Sequence, residues 1–192
     1  WNSVSAGNPT KWKSVETNQG EYDFEGFDYL YKWTKSRGMP FYWHTMIWGA
    51  DSALPSWFSG LSEADSKQEL DDFLSAVSTR FPNIDGIQTV NEIYGEGTVD
   101  AHQSNTTLLK NQFGGAGSTG YDWLIYLFQR ARHYFPNAKL WLNDFGVLSN
   151  STKRQAHIDA CNILKNNGNL IDAVGCQSHY FNLNQMSATT LQ

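Results

Sequence analysis

Asn91 and Glu92 are the two adjacent residues best suited to acid–base chemistry in this sequence. They follow a short strand-like run at residues 87–90 and precede a glycine-containing stretch at residues 93–97. A carboxyl group at such a strand end, beside an amide and near aromatic rings, is partly desolvated. Desolvation raises the pKa of a carboxyl group and keeps it protonated, as a general acid must be. For this segment alone, an exposed glutamate at a strand end is the simpler alternative.

Further polar and aromatic residues stand where other predicted strands end. They are Asn8, His44 with Trp48, Asn143 with Asp144, and Gln177 with His179. In a (β/α)8 barrel the active site lies at the carboxyl ends of the strands, and several strands contribute to it. An open doubly wound sheet would instead concentrate its ligand groups at one switch point. Five strand ends that supply polar groups therefore favour the barrel.

The elements that must position these residues alternate between strand and helix. Short apolar and β-branched runs predict strands at residues 1–5, 40–48, 84–91, 138–143 and 171–177. Apolar residues at helical spacing predict helices at residues 27–35, 62–81, 121–134 and 152–166, with a capping box at Ser62. A polar loop is predicted between residues 95 and 113. Buried strands that alternate with helices indicate an α/β fold with a parallel sheet.

Composition narrows the classes of protein further. The 192 residues are 40% hydrophobic and 17% charged, which predicts one folded domain and excludes a disordered chain. The net charge of −5 and the absence of a basic cluster argue against a nucleic-acid partner. No apolar run approaches the roughly 18 residues of a membrane span. Aromatic residues make up 15% of the chain, which permits stacking against sugar rings in addition to core packing.

Two other motifs predict no cofactor or metal. Residues 115–120 match G-x-G-x-x-G, but no strand precedes them and no acid follows at the spacing of a dinucleotide site, so a loop entering a helix is favoured. His157 and Cys161 are four residues apart on a predicted helix, and two ligands are too few for a zinc site. Cys176 lies in a predicted buried strand, and a disulfide between Cys161 and Cys176 stays open.

Five segments, taken together and in order, resemble glycoside hydrolase family 10, the endo-β-1,4-xylanases. The segments are residues 2–12 (NSVSAGNPTKW), 43–48 (WHTMIW), 90–92 (VNE), 142–145 (LNDF) and 175–179 (GCQSH). Each motif is short, but five of them in the right order are specific. The resemblance implies that residues 1–192 are a single partial catalytic domain. It would hold roughly strands 2 to 6 of a (β/α)8 TIM barrel and lack strand 1 and strands 7–8.

The resemblance also implies a retaining mechanism, which uses two carboxylates about 5–5.5 Å apart. Glu92 would protonate the leaving glycosidic oxygen and then deprotonate the attacking water, while Asn91 would hydrogen-bond the 2-hydroxyl of the sugar at subsite −1. The other implied contacts are Asn8 and Lys11 in the glycone subsites, His44 and Trp48 at subsite −1, and Gln177 and His179 around the nucleophile. That nucleophile, a glutamate ending the seventh strand, would lie outside these residues. Residues 1–192 alone are therefore not expected to hydrolyse a substrate.

Three residues depart from the family pattern: Gly7, where glutamate is usual, Gly49, where histidine is usual, and Phe145, where tyrosine is common. A glycine at position 7 predicts a roomier −2 subsite that tolerates a decorated xylose or a hexose. The resemblance thus implies a secreted endo-1,4-β-xylanase acting on xylan or a related β-1,4-linked polysaccharide, monomeric when complete. The alternatives are another retaining β-1,4-glycanase, such as a glucanase or mannanase, and a non-catalytic carbohydrate-binding barrel.

Overall fold

The computed structural model describes residues 2–94 and 105–179, and its strands form one parallel sheet. The strands are β1 (Val4–Ser5), β2 (Phe41–Trp48), β3 (Gly86–Asn91), β4 (Lys139–Phe145) and β5 (Ala173–Gln177). Their order in the sheet is β1-β2-β3-β4-β5, and every neighbouring pair is parallel. A strand order that never reverses belongs to a barrel and not to a doubly wound sheet. The predicted partial (β/α)8 barrel is confirmed.

The described helices connect these strands. They are α1 (Trp12–Val15), α2 (Glu25–Lys35), α3 (Glu63–Arg80), α4 (Thr106–Gln112), α5 (Asp122–Tyr134) and α6 (Ser151–Asn166), with short 3₁₀ helices at Asn8–Thr10 and Ser56–Gly60. Each of the four predicted helices is confirmed within two residues at either end. At the start of α3, Ser62 Oγ accepts a hydrogen bond from the Asp65 N–H at 3.2 Å, as the capping motif predicted.

The prediction of a polar loop between residues 95 and 113 is wrong where α4 forms. Asn105 caps this helix, because its side-chain oxygen accepts a hydrogen bond from the Leu108 N–H at 2.9 Å. Leu109 is fully buried and ties the helix to the core. A single buried leucine in a seven-residue helix leaves no helical period to detect, which explains the error. Residues 95–104 of the predicted loop lie outside the described residues.

The core lies between the sheet and the helices, and the predicted apolar faces supply it. The buried residues of α3 include Leu70, Phe73, Leu74 and Val77, and those of α5 are Trp123, Leu124, Leu127, Phe128 and Ala131. Trp12 of α1 stacks on Phe73 with ring centroids 4.8 Å apart, so a short helix is held by a large aromatic contact. Much of the aromatic content is therefore used in the core.

The amino-terminal half of the barrel interior is filled by rings. Tyr42 and Trp141 meet edge to face with centroids 5.7 Å apart. Gly86 lies beneath them, and a Cβ atom there would come within 2.6 Å of the Trp141 ring. Any larger residue at position 86 would displace this contact, so glycine is required by close packing. Aromatic rings thus lie at the amino-terminal end of the interior, and polar groups lie at its carboxyl-terminal end.

Alternation along β4 sends two consecutive polar residues to opposite sides of the sheet. Leu140, Leu142 and Asp144 are buried on the helix side, whereas Asn143 is only partly buried and contacts β3 within the barrel. This follows from the two-residue period of a strand. Asn143 and Asp144 therefore take part in different layers of the molecule, although they are neighbours in sequence.

The two cysteines lie on neighbouring elements, with Cys161 buried on α6 and Cys176 half-buried on β5, and both are free thiols. The possible disulfide is thus not formed. Burial raises the pKa of the Cys161 thiol to about 11, which keeps it in the unreactive protonated state. Among the described residues, no helix combines the length and apolarity needed to cross a bilayer.

Candidate active site

Glu92 lies immediately after β3, at the carboxyl end of the barrel, with only 6% of its surface exposed. Its Oε1 atom accepts hydrogen bonds from Asn91 Nδ2 at 3.2 Å and from Gln177 Nε2 at 2.9 Å. Its Oε2 atom is buried and accepts no hydrogen bond of normal geometry from the described residues. One oxygen of the carboxyl group is held by two amides, and the other is available for proton exchange.

The surroundings of Glu92 favour its protonated form. Burial is the main cause that raises the pKa of this carboxyl group, and the negative charge of Asp144 raises it further. The hydrogen bonds from Gln177 and Asn91 oppose this shift because they stabilise the carboxylate. The indole N–H of Trp48 also favours the carboxylate, although its contact with Glu92 falls short of a hydrogen bond in geometry. A raised pKa suits a general acid.

Asn91 is the centre of an amide network that orients Glu92. Its Oδ1 atom accepts hydrogen bonds from three side-chain amides, those of Gln88, of Asn143 at 2.9 Å and of Gln177 at 3.2 Å. These donors leave the Asn91 amide only one orientation, in which Nδ2 points to Glu92. β3, β4 and β5 each contribute to the network, so its geometry depends on the assembled sheet.

Lys11 and Trp48 form the second part of the site. Lys11 Nζ lies 4.6 Å from the centre of the Trp48 ring, an arrangement in which the cation faces the aromatic ring. The Lys11 residue is only 5% exposed. Burial lowers the pKa of its ammonium group, and the charge of Glu92 partly opposes this shift. Lys11 and Trp48 therefore place a buried ammonium group and an aromatic ring beside the carboxyl group of Glu92.

The two predicted histidines reach the same network through glutamines. His44 Nδ1 lies 2.9 Å from Gln88 Oε1, and His179 Nε2 lies 2.8 Å from Gln177 Oε1. Burial lowers the pKa of His44, so its neutral form is favoured. His44 lies within β2 and not at its end, paired in register with Gln88. Each histidine is thus linked to Asn91 by one glutamine.

The structure brings together most of the predicted site residues. Lys11, His44, Trp48, Asn91, Glu92, Gln177 and His179 are joined by the contacts above. Asn8 is exposed and is linked to this group through its backbone, whose carbonyl accepts the Lys11 N–H at 3.2 Å. Gly7 is also exposed, and a Cβ atom built there would have no neighbour within 4 Å. The edge of the site beside Asn8 is therefore open.

Three residues of the site, Gln88, Asn143 and Asp144, are not among the predicted site residues. Gln88 was treated as an ordinary strand residue, although it connects His44 with Asn91. Asn143 and Asp144 were noted as polar residues at a strand end and as part of the LNDF segment, without a role of their own. Asn143 binds Asn91, and Asp144 influences the pKa of Glu92. The strand-end position of this pair was the available signal, whereas the sequence around Gln88 offered none.

Within residues 2–94 and 105–179, no three His, Cys, Asp or Glu side chains are grouped closely enough to hold a metal ion. What the geometry provides is a buried carboxyl group with one oxygen that lacks a hydrogen-bond partner among the described residues, an aromatic face, and amide and imidazole groups. Amides and imidazoles can hydrogen-bond hydroxyl groups, and an aromatic face can stack on an apolar ring. This combination fits acid–base chemistry on a ligand rich in hydroxyl groups.

Relatives with this sequence pattern are xylanases. The chain is 33% identical over 179 residues to endo-1,4-beta-xylanase B of Cellvibrio japonicus, covering 93% of this chain and 27% of that protein. It is 30% identical over 185 residues to endo-1,4-beta-xylanase 3 of Hypocrea jecorina, covering 92% of this chain and 48% of that protein. The chain spans about half the length of these relatives, or less.

The fold is shared with solved structures. Xylanase A of P. fluorescens subsp. cellulosa, solved in complex with xylopentaose, matches with a TM-score of 0.76 and 28% identity, over 93% of this chain and 52% of that one. The model of glycosyl hydrolase family 10 matches residues 1–192. The motifs, the parallel strand order and the carboxyl group after β3 agree with that match. The chain belongs to glycosyl hydrolase family 10.

Proposed function

We propose that the protein containing this chain is a retaining endo-1,4-β-xylanase in which Glu92 is the general acid/base. The carboxyl group of Glu92 is the observation that carries this proposal, because it is buried, oriented through one oxygen and without a hydrogen-bond partner among the described residues at the other. Protonated Glu92 would give its proton to the leaving glycosidic oxygen, and the resulting carboxylate would then take a proton from the attacking water. The nucleophile is proposed to be a glutamate outside residues 1–192.

We propose that the sugar-binding residues are Asn8, Lys11, His44, Trp48, Asn91, Gln177 and His179. The contacts in the structure refine two of these roles. Because Asn91 Oδ1 already accepts three hydrogen bonds, a sugar hydroxyl would meet its Nδ2 atom. Gln177 donates to Glu92, so its role includes orienting the acid/base as well as the predicted contact with the nucleophile. Trp48 would offer the face of its ring to a pyranose.

Further parts of the proposal concern the whole protein. Residues 1–192 would be one partial catalytic domain of a complete barrel. The substrate would be xylan or a related β-1,4-linked polysaccharide, as the names of the relatives and the xylopentaose complex suggest. The protein would be secreted because a polymer of this size is met outside the cell, and it would act as a monomer.

The test of Glu92 uses the intact enzyme and the variant Glu92→Ala. An aryl xyloside whose leaving group needs no protonation should keep most of its kcat/KM, whereas xylan hydrolysis should fall by about 10²–10⁴-fold. Azide should restore turnover of the aryl substrate, because it is an anionic nucleophile that replaces water and needs no general base. The product should then be a glycosyl azide. Equal losses on both substrates would overturn the assignment. Full xylan hydrolysis by the variant would remove Glu92 from the mechanism.

A broader β-1,4-glycanase is the second candidate, and the open surroundings of Gly7 favour it. The backbone of Gly7 has φ −116°, so glutamate fits there without strain. In the intact enzyme, Gly7→Glu should lower activity on decorated xylan or on glucan about ten-fold relative to plain xylan. Parallel assays on plain xylan, decorated xylan and linear glucan check this. Equal losses on all three substrates would contradict the idea of a roomier subsite.

A further inference from the structure

A second buried carboxyl group, that of Asp144, lies directly behind the site and cannot meet a substrate. Asp144 is 0% exposed and lies on the helix side of β4. Its Oδ2 atom accepts the N–H of Ile93 at 2.8 Å, while Oδ1 accepts the N–H of Phe145 at 2.8 Å and binds Lys153 Nζ at 2.7 Å. Both oxygens therefore have partners within the described chain, unlike those of Glu92.

These contacts hold the backbone on both sides of the Glu92 Cα atom. Glu92 has φ 57°, in the left-handed region that costs a non-glycine residue about 1–2 kcal/mol. Its own N–H donates to Asn143 O at 2.8 Å, and the following N–H, that of Ile93, donates to Asp144. Two consecutive residues of β4 thus fix the two peptide groups around Glu92. Unfavourable backbone conformations persist where such surrounding contacts determine them.

Lys153 favours the charged form of the buried Asp144 carboxyl group. The Lys153 side chain is 15% exposed, and its ammonium group lies 3.3 Å from the centre of the Phe145 ring. Burial raises the pKa of Asp144, and the bond to Lys153 opposes that shift most strongly. An ionised carboxylate binds a backbone N–H more strongly than a neutral one does. Lys153, in the first turn of α6, therefore connects the helix layer to the site.

We propose that Asp144, paired with Lys153, is a positioning residue that acts through Glu92. It would fix the backbone after Glu92 and place a fixed negative charge behind the acid/base. This inference rests on the proposed function of Glu92. The titratable and charged groups around this arrangement fall into two sets. Lys11, His44 and His179 lie around Glu92 and Gln177, and Lys153, His157, Tyr94 and Cys176 lie around Asp144. Glu92 and Asp144 are the two carboxyl groups of this arrangement.

The experiment separates the charge of Asp144 from its hydrogen bond. In the intact enzyme, Asp144→Asn removes the charge and keeps an oxygen for the Ile93 N–H, while its NH2 group replaces the oxygen that accepts from Phe145 and Lys153. The pKa of Glu92 should then fall, and the alkaline limb of kcat/KM on xylan should move to lower pH. Asp144→Ala also removes the acceptor. It should lower kcat on xylan at least about ten-fold while the activated aryl xyloside keeps most of its kcat/KM.

The control is Asp85→Asn. Asp85 also binds a backbone N–H, that of Phe41 at 2.6 Å, and a lysine, Lys35 at 2.5 Å, but at the amino end of the strands. The Asp85→Asn variant should leave unchanged both the pH profile and the ratio of activities on xylan and on the aryl xyloside. If Asp144→Ala does not fold, the test rests on two other variants. These are Asp144→Asn and the double variant Asp144→Asn with Lys153→Met, which removes both charges, and their pH profiles decide between the outcomes.

The outcomes are distinct. A shifted alkaline limb, with a ¹³C NMR titration that assigns the shift to Glu92, supports the inference. An unmoved limb, or equal losses of Asp144→Ala on xylan and the aryl xyloside, overturns it, because a purely structural residue would act that way. If Glu92→Ala itself shows no difference between the two substrates, the proposed function fails instead. The two failures can thus be told apart.

Discussion

Glu16 and Glu92 are the buried glutamates among the described residues, with 0% and 6% of their surfaces exposed. Burial is the main cause that raises the pKa of both carboxyl groups. They differ in their hydrogen bonds. Both oxygens of Glu16 are occupied, Oε2 by Trp12 Nε1 at 2.6 Å and Oε1 by the Gly20 N–H at 2.8 Å. Only one oxygen of Glu92 is bound, and the other accepts nothing from the described residues.

The comparison shows that burial and a raised pKa do not by themselves mark a catalytic acid. Glu16 ends α1 and ties it to the following turn, so its carboxylate has a structural role. Glu92 stands at the carboxyl end of the barrel with a left-handed backbone and an incomplete set of partners. An unmet hydrogen-bonding capacity in a buried group costs stability. Residues of active sites commonly carry such a cost.

The largest expected difference is in catalysis. In the intact enzyme, Glu92→Gln should lower kcat on xylan by about 10²–10⁴-fold, because the amide cannot donate a proton as an acid does. Glu16→Gln should keep kcat per folded molecule, measured well below its melting temperature. Both substitutions remove one negative charge and keep the side-chain volume. A comparable loss of kcat in Glu16→Gln would mean that the two glutamates are not functionally different.

For the free energy of unfolding, Glu16→Gln should have the larger effect of the two variants. Glu16→Gln places an NH2 group against a hydrogen-bond donor, either Trp12 Nε1 or the Gly20 N–H, and should cost about 1–3 kcal/mol in the free energy of unfolding. Glu92→Gln should not destabilise the protein at pH 7, because it removes a buried carboxylate that lacks a full set of partners. Urea denaturation of both variants beside the wild type measures this. Greater destabilisation by Glu92→Gln would reverse the comparison.

The stability difference between Glu92→Gln and wild type should also depend on pH. Because folding raises the pKa of Glu92, this residue favours the folded state below its unfolded pKa of about 4.3, and that contribution is lost as pH rises through the folded pKa. The variant should therefore gain on the wild type as pH rises above about 4, and the gap should level off above the folded pKa. Melting temperatures between acidic and neutral pH test the sign. If the variant instead lost stability relative to the wild type as pH rises, the raised pKa of Glu92 would be contradicted.

Sequence patterns predicted the framework of this site better than its connections. The period of apolar residues located the strands and the four longer helices, and the strand ends located Asn91, Glu92 and Gln177. Periodicity says nothing about Gln88, which links His44 to Asn91 only after β2 and β3 pair in register. It is equally silent on the partners of Glu92 Oε1, which come from residues 1 and 85 positions away in the chain.

The failure at α4 has a similar physical origin. This helix depends on the Asn105 cap and on burial of Leu109, and a seven-residue helix is too short to be stable without tertiary contacts. The local sequence offers a cap but little amphipathic pattern. Structure that depends on tertiary contacts, whether a short helix or an amide network, is thus the part that sequence periods do not reveal.

The smallest expected effect concerns the bound oxygen of Glu92. Gln177 donates to Oε1 and stabilises the carboxylate, so Gln177→Met should raise the pKa of Glu92 and move the alkaline limb of kcat/KM to higher pH. The shift is opposite to that expected for Asp144→Asn. The variant also loses the contacts of Gln177 with Asn91 and His179, so kcat at the optimum should fall by about ten-fold or somewhat more.

The matched control for this variant is Gln112→Met. Gln112 is a buried glutamine, with 6% exposure, whereas Gln177 is half-buried. The Gln112 Nε2 atom donates to Leu61 O at 2.9 Å. Replacement of Gln112 removes a hydrogen bond to Leu61 that involves neither Glu92 nor its partners, and it should leave the pH profile unchanged. If both variants move the limb alike, the shift reports a general loosening of the fold. If only Gln177→Met moves it upward, the ionisation of Glu92 is governed by its own hydrogen bonds, which is the property that distinguishes it from Glu16.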